Sequence, residues 1–543
     1  MILKKTSKIY AGWEYFVPAL YFVSATLSCA IVSFKKYFWN DEFFSYYQLS
    51  DPSFRHMMVA FSDKLNITPP LYFILGWVWV QMVGATELSL RIFSSLGLSM
   101  AFFIVWITLR RHYGFLAASL GALIAFCFSS LVVYQNAEAR MYGLFLLLCS
   151  LALLQYDVIN KSSKPSVGMI LINGVVHAGI VSTHLYGIFY SGAILVAFVL
   201  RDRFFKKVRP KVYLVILLSW ASAIPYLPAF IQQSDSGRPR SWIPVPRIFE
   251  LLFSYGLTED SIVQVILFFV LIIFCLGILL QDKKNRPAYA SSFEARISLF
   301  IFALAILAVP IFAWTISLVV KPIFLNRYLI PGVLGWAILV AQAFSWLEGY
   351  FQKSSQVWRG TLLNFGQKFL SFGLPLLFVA LMSSQVIRAV DQVKEPRPGS
   401  GDQMYGYADL AIVVSFSHDF LKRYHYATDR GRYFFVLDWQ SALDVASGVF
   451  SPNEYKNMDA LSRNYSNIFQ NHIVQVGDFL KNNPRFLLLD DLDFDRECSA
   501  EDFHCPRWFE VRVKNNPDYR VTPLGALEGR QLLLVEAVQK NEN

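Results

Sequence analysis

"PPLYFILGWVWVQMVG", residues 69 to 84, decides how the chain is threaded through a membrane. It is apolar and aromatic, opens on two prolines, and falls short of the roughly 20 residues a helix needs to cross a bilayer. Counted as a span, it inverts the side of every later loop. Read as a helix lying in, or dipping into, the outer interface, it leaves a consistent topology.

That topology starts from composition. Of 543 residues, 55% are hydrophobic and only 16% charged, against about a quarter charged in soluble domains. Many apolar runs reach bilayer length, and in lipid such runs must be helices because nothing else satisfies their backbone groups. Spans are predicted near 13–34, 88–109, 115–134, 142–158, 167–183, 185–200, 212–230, 261–280, 297–320, 329–346 and 369–388. The first run (Trp13 to Phe34) is too long for a signal peptide and lacks an A-x-A-type cleavage site, so it is expected to stay as the first helix.

The net charge of +10 raises nucleic acid as a partner, but the placement of the charge excludes it. Lysines and arginines cluster in short loops: "KKTSK", "RRHYG", "KSSK", "RDRFFKKVRPK" and "QDKKNR". No extended basic arm is interleaved with stacking aromatics. With the N-terminus inside, the basic loops at 110–112, 161–164, 201–211, 283–286 and 353–368 all fall on the cytoplasmic side, as the positive-inside rule requires. The outer side then carries 35–87, the turns at 135–141 and near 184, the loop 231–260, the segment 321–328 and everything after about 389.

From Asp391 charges become frequent and no run is long enough to span. "LAIVVSF", "RYFFVLDW", "RFLLLDD" and "RQLLLVEAV" read as short strands separated by helical stretches. The expected organisation is a polytopic α-helical membrane domain over 1–389 with about eleven transmembrane helices, and an extracytoplasmic α/β domain over 390–543. The tail has no G-x-G-x-x-G and no Walker loop, so no nucleotide is assigned to it.

Several ionisable groups fall at the same outer level. "YFWNDEFFSYY" (37 to 47) places Asp41 and Glu42 where the first helix ends. "NAEARMYG" carries Glu138 and Arg140, "STHLYG" carries His184, and "FLNRYLIP" carries Arg327 and Tyr328. Each has an ordinary reading: a solvated helix end, an Arg140–Glu138 pair, a satisfied interfacial histidine, an interface anchor. Their coincidence at membrane depth, where charge is costly and tends to line functional cavities, points to one site.

The chemistry follows from the side of the membrane. Nucleotide sugars are cytoplasmic, so a donor used outside is carried on a lipid, and a polyprenyl-phosphate sugar fits. An acceptor hydroxyl needs a base, which a carboxylate supplies. The departing lipid phosphate gathers charge, which arginine neutralises with its fixed fork. Phosphate leaves without a general acid.

The ordered series of an acid pair after helix one, "PPLYF", "EARMYG", "THLYG" and "RYLIP" resembles the bacterial members of glycosyltransferase family 39. These are relatives of protein O-mannosyltransferases and of the lipid A aminoarabinose transferase, in the C-type glycosyltransferase superfamily. The resemblance covers about residues 10–335. It implies an outward-facing cavity, a polyprenyl-phosphate sugar donor and an inverting transfer. It also implies roles: Asp41 as general base, Glu42 orienting the acceptor or Asp41, Glu138 and Arg140 as the acid and arginine of the second outer loop, and Arg327 on the donor phosphate. Many relatives carry His or Lys directly before the Pro-Pro pair, where this chain has Thr68; Lys64 and His184 are the candidate replacements.

The rival class is a polytopic transporter or flippase for a lipid-linked or envelope substrate. It calls for a polar path and often a pseudo-repeat, and neither is visible. Asp41, Glu138 and His184 have no diagnostic metal-ligand spacing, so no metal or cofactor is assigned. Cys29, Cys127, Cys149 and Cys275 lie in apolar runs, whereas Cys498 and Cys505 sit in "ECSAEDFHC". In an oxidising compartment those two are expected to form a disulfide.

Overall fold

The computed structural model describes residues 15–162, 164–235, 238, 241–258, 261–284, 290–355, 373–399, 406–443, 452–491 and 508–538. The chain gathers into two compact units. The first is Met1–Lys35, Thr68–Pro225 and Val245–Val393; the second is Lys36–Ile67, Tyr226–Pro244 and Lys394–Asn543. The second unit thus takes in two segments from within 1–389.

In chain order the helices used below are α1 (Phe16–Lys35), α2 (Asn40–Leu49), α3 (Phe54–Ser62), α4 (Leu71–Val83), α5 (Glu87–Arg110), α6 (Phe115–Phe128) and α7 (Tyr142–Lys161). They continue as α8 (Val167–Thr183), α9 (Gly187–Phe204), α10 (Pro210–Ser219), α11 (Ile262–Lys284), α12 (Ala290–Leu307), α13 (Val309–Val319), α14 (Gly332–Ser355), α15 (Leu374–Val390), α16 (Ser417–Tyr426) and α17 (Asn453–Asn464).

Over the described residues, each predicted span falls largely on helical chain. Among the described residues, seven helices are long and apolar enough to cross a membrane: Phe16–Lys35, Glu87–Arg110, Tyr142–Lys161, Pro210–Ser234, Ile262–Leu280, Phe293–Val319 and Gly332–Gly349. The predicted spans at 115–134, 167–183, 185–200 and 369–388 correspond to the shorter or more charged helices α6, α8, α9 and α15. The breaks have local causes. Pro225 lacks an N–H and lies in a 3-10 stretch, Trp220–Tyr226. Ser129 leaves the helical region and its hydroxyl accepts the Val132 amide, starting a new helix.

The decisive segment is α4. It has 13 residues, about 20 Å of helix, against roughly 30 Å of hydrocarbon. Tyr72, Phe73, Gly76 and Val80 are buried while Leu75, Val78, Met82 and Val83 are exposed. One apolar face meets protein and the other is left for lipid or the interface.

Small residues set the closest approach in the first unit. A Cβ on Gly143 of α7 would stand 2.0 Å from the Ser94 carbonyl oxygen of α5, and one on Gly97 would stand 2.5 Å from the Gly143 carbonyl carbon. Such approach is how helices gain contact where lipid removes the usual hydrophobic drive. Buried charge is paired: Asp202 accepts from Arg209 at 2.6 Å and 2.8 Å and from Arg201 at 3.0 Å, and Asp157 meets Arg111 at 2.6 Å. These pairs lie in or beside loops predicted to be cytoplasmic.

The second unit carries a six-stranded sheet of order β3-β2-β1-β4-β6-β5. The strands are β1 (Ile412–Val414), β2 (Tyr433–Leu437), β3 (Ile473–Gln475), β4 (Arg485–Asp491), β5 (Tyr519–Leu527) and β6 (Arg530–Ala537). β3, β2, β1 and β4 run parallel; β6 and β5 add antiparallel. Glu528 and Gly529, both at positive φ, close the β5–β6 hairpin, as such two-residue turns require. Val413, Val436, Phe486, Leu488 and Val535 form its core with Phe479 and Phe509.

The segments 36–67 and 226–244 are bound into this unit by polar contacts. Gln233 donates to the Phe61 carbonyl at 2.6 Å. Asp63 accepts from Asn464 at 2.8 Å and Arg463 at 3.0 Å. Lys64 reaches Asp235 at 2.7 Å, and Lys456 donates to the Asp235 carbonyl at 2.6 Å. Cys29, Cys127, Cys149 and Cys275 are free and buried; Cys498 and Cys505 lie outside the described residues.

Two predictions follow from this packing. Gly143→Ala places a methyl against backbone that cannot step aside, so it should lower stability by about 1–3 kcal/mol. Gly277→Ala, whose Cβ meets nothing within 4 Å, should be neutral. Thermal unfolding in detergent checks both, and an unchanged midpoint for Gly143→Ala rejects the close approach.

Protonation should loosen the second unit. Burial alone would raise the Asp63 carboxyl, but the Lys64 amide, Asn464 and Arg463 outweigh it and bring it below its usual value. Burial likewise opposes, and Lys422, the Tyr37 amide and Lys36 outweigh it, at Glu395. A carboxyl depressed in the folded state stabilises above its unfolded value, about pH 4, and loses that contribution as pH falls further. Protection of the amides of residues 36–67, corrected for the intrinsic exchange rate at each pH, should therefore fall below about pH 4, and constant protection through that range would count against these pairs.

Candidate functional site

Two constellations carry the predicted residues, one in each unit. In the first unit, Arg140 and Glu138 sit on the turn before α7, both buried. Ser94 of α5 holds that turn: its hydroxyl lies 2.7 Å from the Arg140 carbonyl and 3.2 Å from the Arg140 amide. Beside it, Asn136 links Ser95, at 2.8 Å, to the Ala25 carbonyl of α1, also at 2.8 Å. The turn is thus fixed by two neighbouring helices.

His184 ends α8 in extended backbone. Its Nδ1 accepts the Tyr186 amide at 3.0 Å, which leaves the proton of the neutral ring on Nε2. The ring stacks on Phe145 at 5.0 Å and meets Tyr328 at 4.8 Å and Tyr142 at 5.8 Å. Burial, then Arg140, then Arg327 lower its pKa to about 3. Arg140 lies two residues before Tyr142 and Arg327 adjoins Tyr328, so the rings that meet His184 bring both arginine turns beside one imidazole, although 187 residues separate them in the sequence (327 − 140).

Arg327 and Tyr328 lie on a single 3-10 turn, Asn326–Leu329, with the Arg327 guanidinium 5.8 Å from the Tyr328 ring. Tyr186 donates to the Ile323 carbonyl at 2.7 Å and meets the Tyr328 ring at 5.1 Å. Arg140, His184, Arg327 and Tyr328 are therefore brought together. Sequence reasoning missed Tyr142, Phe145 and Tyr186. A signal exists for the tyrosines: both precede a glycine that opens a helix, "YG" at 142–143 and at 186–187. Each glycine allows a backbone approach that a Cβ would block, at 2.0 Å for Gly143 and 2.2 Å for Gly187.

In the second unit, Asp41 and Glu42 lie in the first turn of α2, where carboxylates oppose the partial positive charge of the helix start. Glu42 is 1% exposed and its carboxylate accepts the Trp39 amide at 3.2 Å. It caps the helix. Asp41 is half-buried. Lys64 is paired with Asp235 at 2.7 Å. Among the described residues no three His, Cys, Asp or Glu side chains group as a metal site.

No protein-family model matches this sequence, and no curated protein matches it. Solved structures do. The apo structure of ArnT from Cupriavidus metallidurans aligns with a TM-score of 0.58 at 14% identity, covering 97% of this chain and 98% of that one. The structure of the same protein bound to undecaprenyl phosphate aligns with a TM-score of 0.54 at 14% identity, covering 96% and 98%. The chain has the fold of that protein over nearly its whole length.

Proposed function

We propose that this protein is a membrane glycosyltransferase that moves a sugar from a polyprenyl phosphate to an acceptor hydroxyl. The observation that carries the reading is the cluster that sets the turns of Arg140 and Arg327 beside buried His184 among tyrosines. Two guanidinium groups against aromatic walls suit a phosphate whose tail stays in lipid. The undecaprenyl phosphate bound to ArnT supports this donor class.

In the proposed reaction Asp41 accepts the proton of the acceptor hydroxyl. The acceptor oxygen attacks the anomeric carbon as its bond to the phosphate oxygen breaks, with inversion. The bonding electrons leave with the lipid phosphate, and Arg140 and Arg327 take up its charge. Glu42 holds the turn bearing Asp41, and Glu138 accompanies Arg140. The site faces outward from a cell inner membrane, with the N-terminus in the cytoplasm and the α/β domain outside. The acceptor is a protein, lipid or polysaccharide hydroxyl. Purified protein incubated with a panel of polyprenyl-phosphate sugars tests the class: release of free lipid phosphate is expected, and none from any donor rejects the reading.

Asp41→Asn should lower turnover by about 10²- to 10⁴-fold, the usual loss when a general base is removed, with insertion and folding intact. Near-normal turnover would take Asp41 out of the base role.

Arg327→Ala should weaken donor binding and slow turnover by about 10²-fold, the scale for one lost electrostatic donor. Arg327→Lys should recover only part, because an ammonium cannot reproduce the fork. Binding of the lipid-phosphate donor is the deciding measurement: wild-type affinity in the Ala variant would move the assignment to Arg140.

A further inference from the structure

The five residues that lead into the acid turn are held by the α/β domain. Between the end of α1 and the start of α2, the amides of Tyr37, Phe38 and Trp39 are each accepted by a side chain. Glu395 takes the first at 3.3 Å, Tyr426 the second at 3.3 Å, and Glu42 the third at 3.2 Å. Two of these three acceptors come from more than 350 residues away, |i−j| being 358 and 388.

Both distant acceptors are themselves fixed. Glu395 also meets Lys36 at 3.4 Å and Lys422 of α16 at 3.1 Å. The Tyr426 ring packs on the Tyr37 ring at 4.3 Å. At the other end of α16, the Ser417 hydroxyl donates to Asn40 Oδ1 at 3.2 Å, one residue before Asp41. Behind the turn, Phe43 and Tyr46 meet His425 at 5.7 Å and 4.9 Å, and Tyr47 meets Phe469 at 4.9 Å. The backbone before Asp41 is therefore set by α16 and Glu395 rather than by α2 alone, a helix of ten residues too short to be stable by itself.

We propose that Glu395 and Tyr426 are positioning residues for the transfer reaction, holding Lys36–Asn40 so that the Asp41 carboxylate is aimed at the acceptor hydroxyl. The proposal rests on the reading of Asp41 as the base. Neither residue touches the reacting atoms. Misplacement of a catalytic group by about 1 Å can cost up to 10²-fold, so loosening this segment is felt in kcat.

The test uses the full-length protein in detergent with Glu395→Gln, Tyr426→Phe and each of these combined with Asp41→Asn. Tyr426→Phe keeps the ring contact with Tyr37 and removes only the acceptor oxygen, so it remains informative if Glu395→Gln fails to fold. Each single variant should lower kcat by about 10-fold or more with the donor KM unchanged and the protein still folded at the assay temperature. Neither should lower the residual turnover of Asp41→Asn any further, because both act through Asp41. Wild-type kcat in the single variants overturns the proposal and leaves the base assignment standing. A further loss on the Asp41→Asn background overturns it too, since the effect then travels by another route. A fully active Asp41→Asn rejects the base assignment itself, and the positioning role with it.

Discussion

Backbone meets backbone where α5 crosses α7, and the position of the arginine turn depends on that approach. With glycine at 97 and 143 the Ser94 carbonyl stands where a Cβ would be. Only at that range does the Ser94 hydroxyl reach both the amide and the carbonyl of Arg140. The constraint is general for a chain in lipid: a turn at membrane depth has little water to satisfy its polar backbone, so a neighbouring helix must do it. Packing and hydrogen bonding are here one requirement. The same arrangement recurs at Gly187, whose approach to the Ile180 carbonyl fixes the turn that carries His184 and Tyr186.

From those two turns the electrostatics of the first unit follow. Burial already disfavours a proton on His184, and Arg140 and Arg327 act in the same direction. The imidazole is thereby held toward its neutral form. The formal charge of the cluster resides in the two arginines, each a planar fork of donors. Aromatic rings on several sides limit the water that would otherwise screen them, so the field acts at short range on whatever anion enters.

The membrane part of this fold was legible because its signals are redundant. Eleven apolar runs and five basic loops each carry the same message. The convergence of Arg140, His184, Arg327 and Tyr328 was legible from their common level. The aromatic wall was not, because Tyr142 and Phe145 read as ordinary members of an apolar helix. In the sheet domain, four strands announced themselves as β-branched or leucine-rich runs. β3 is only three residues long, and β5 contains Pro523 and Gly525, with a register shift between them. Those residues argue against a central strand and are tolerated at an edge, which is where β5 lies. The attachment of residues 36–67 to the α/β domain left no local trace. It is made of single contacts, such as Asp63 to Asn464 and Tyr37 to Glu395, that join distant parts of the sequence.

That attachment gives the sheet an unusual use. In an open sheet of order 3-2-1-4, the chain leaves β1 toward one side and returns to β4 on the other, which opens a crevice outside their carboxyl ends. Ligands bind in such crevices in many α/β proteins. In this chain α16 begins there, directly after β1, and its first residue, Ser417, donates to Asn40. Glu454 of α17 accepts the Ser417 amide and occupies the helix start that would otherwise welcome an anion. The edge that elsewhere receives a small molecule thus receives a segment of the same chain, the one bearing Asp41. A domain with no nucleotide motif has its place in the architecture on this account: its parallel sheet supplies a rigid edge, and the edge holds the acid turn.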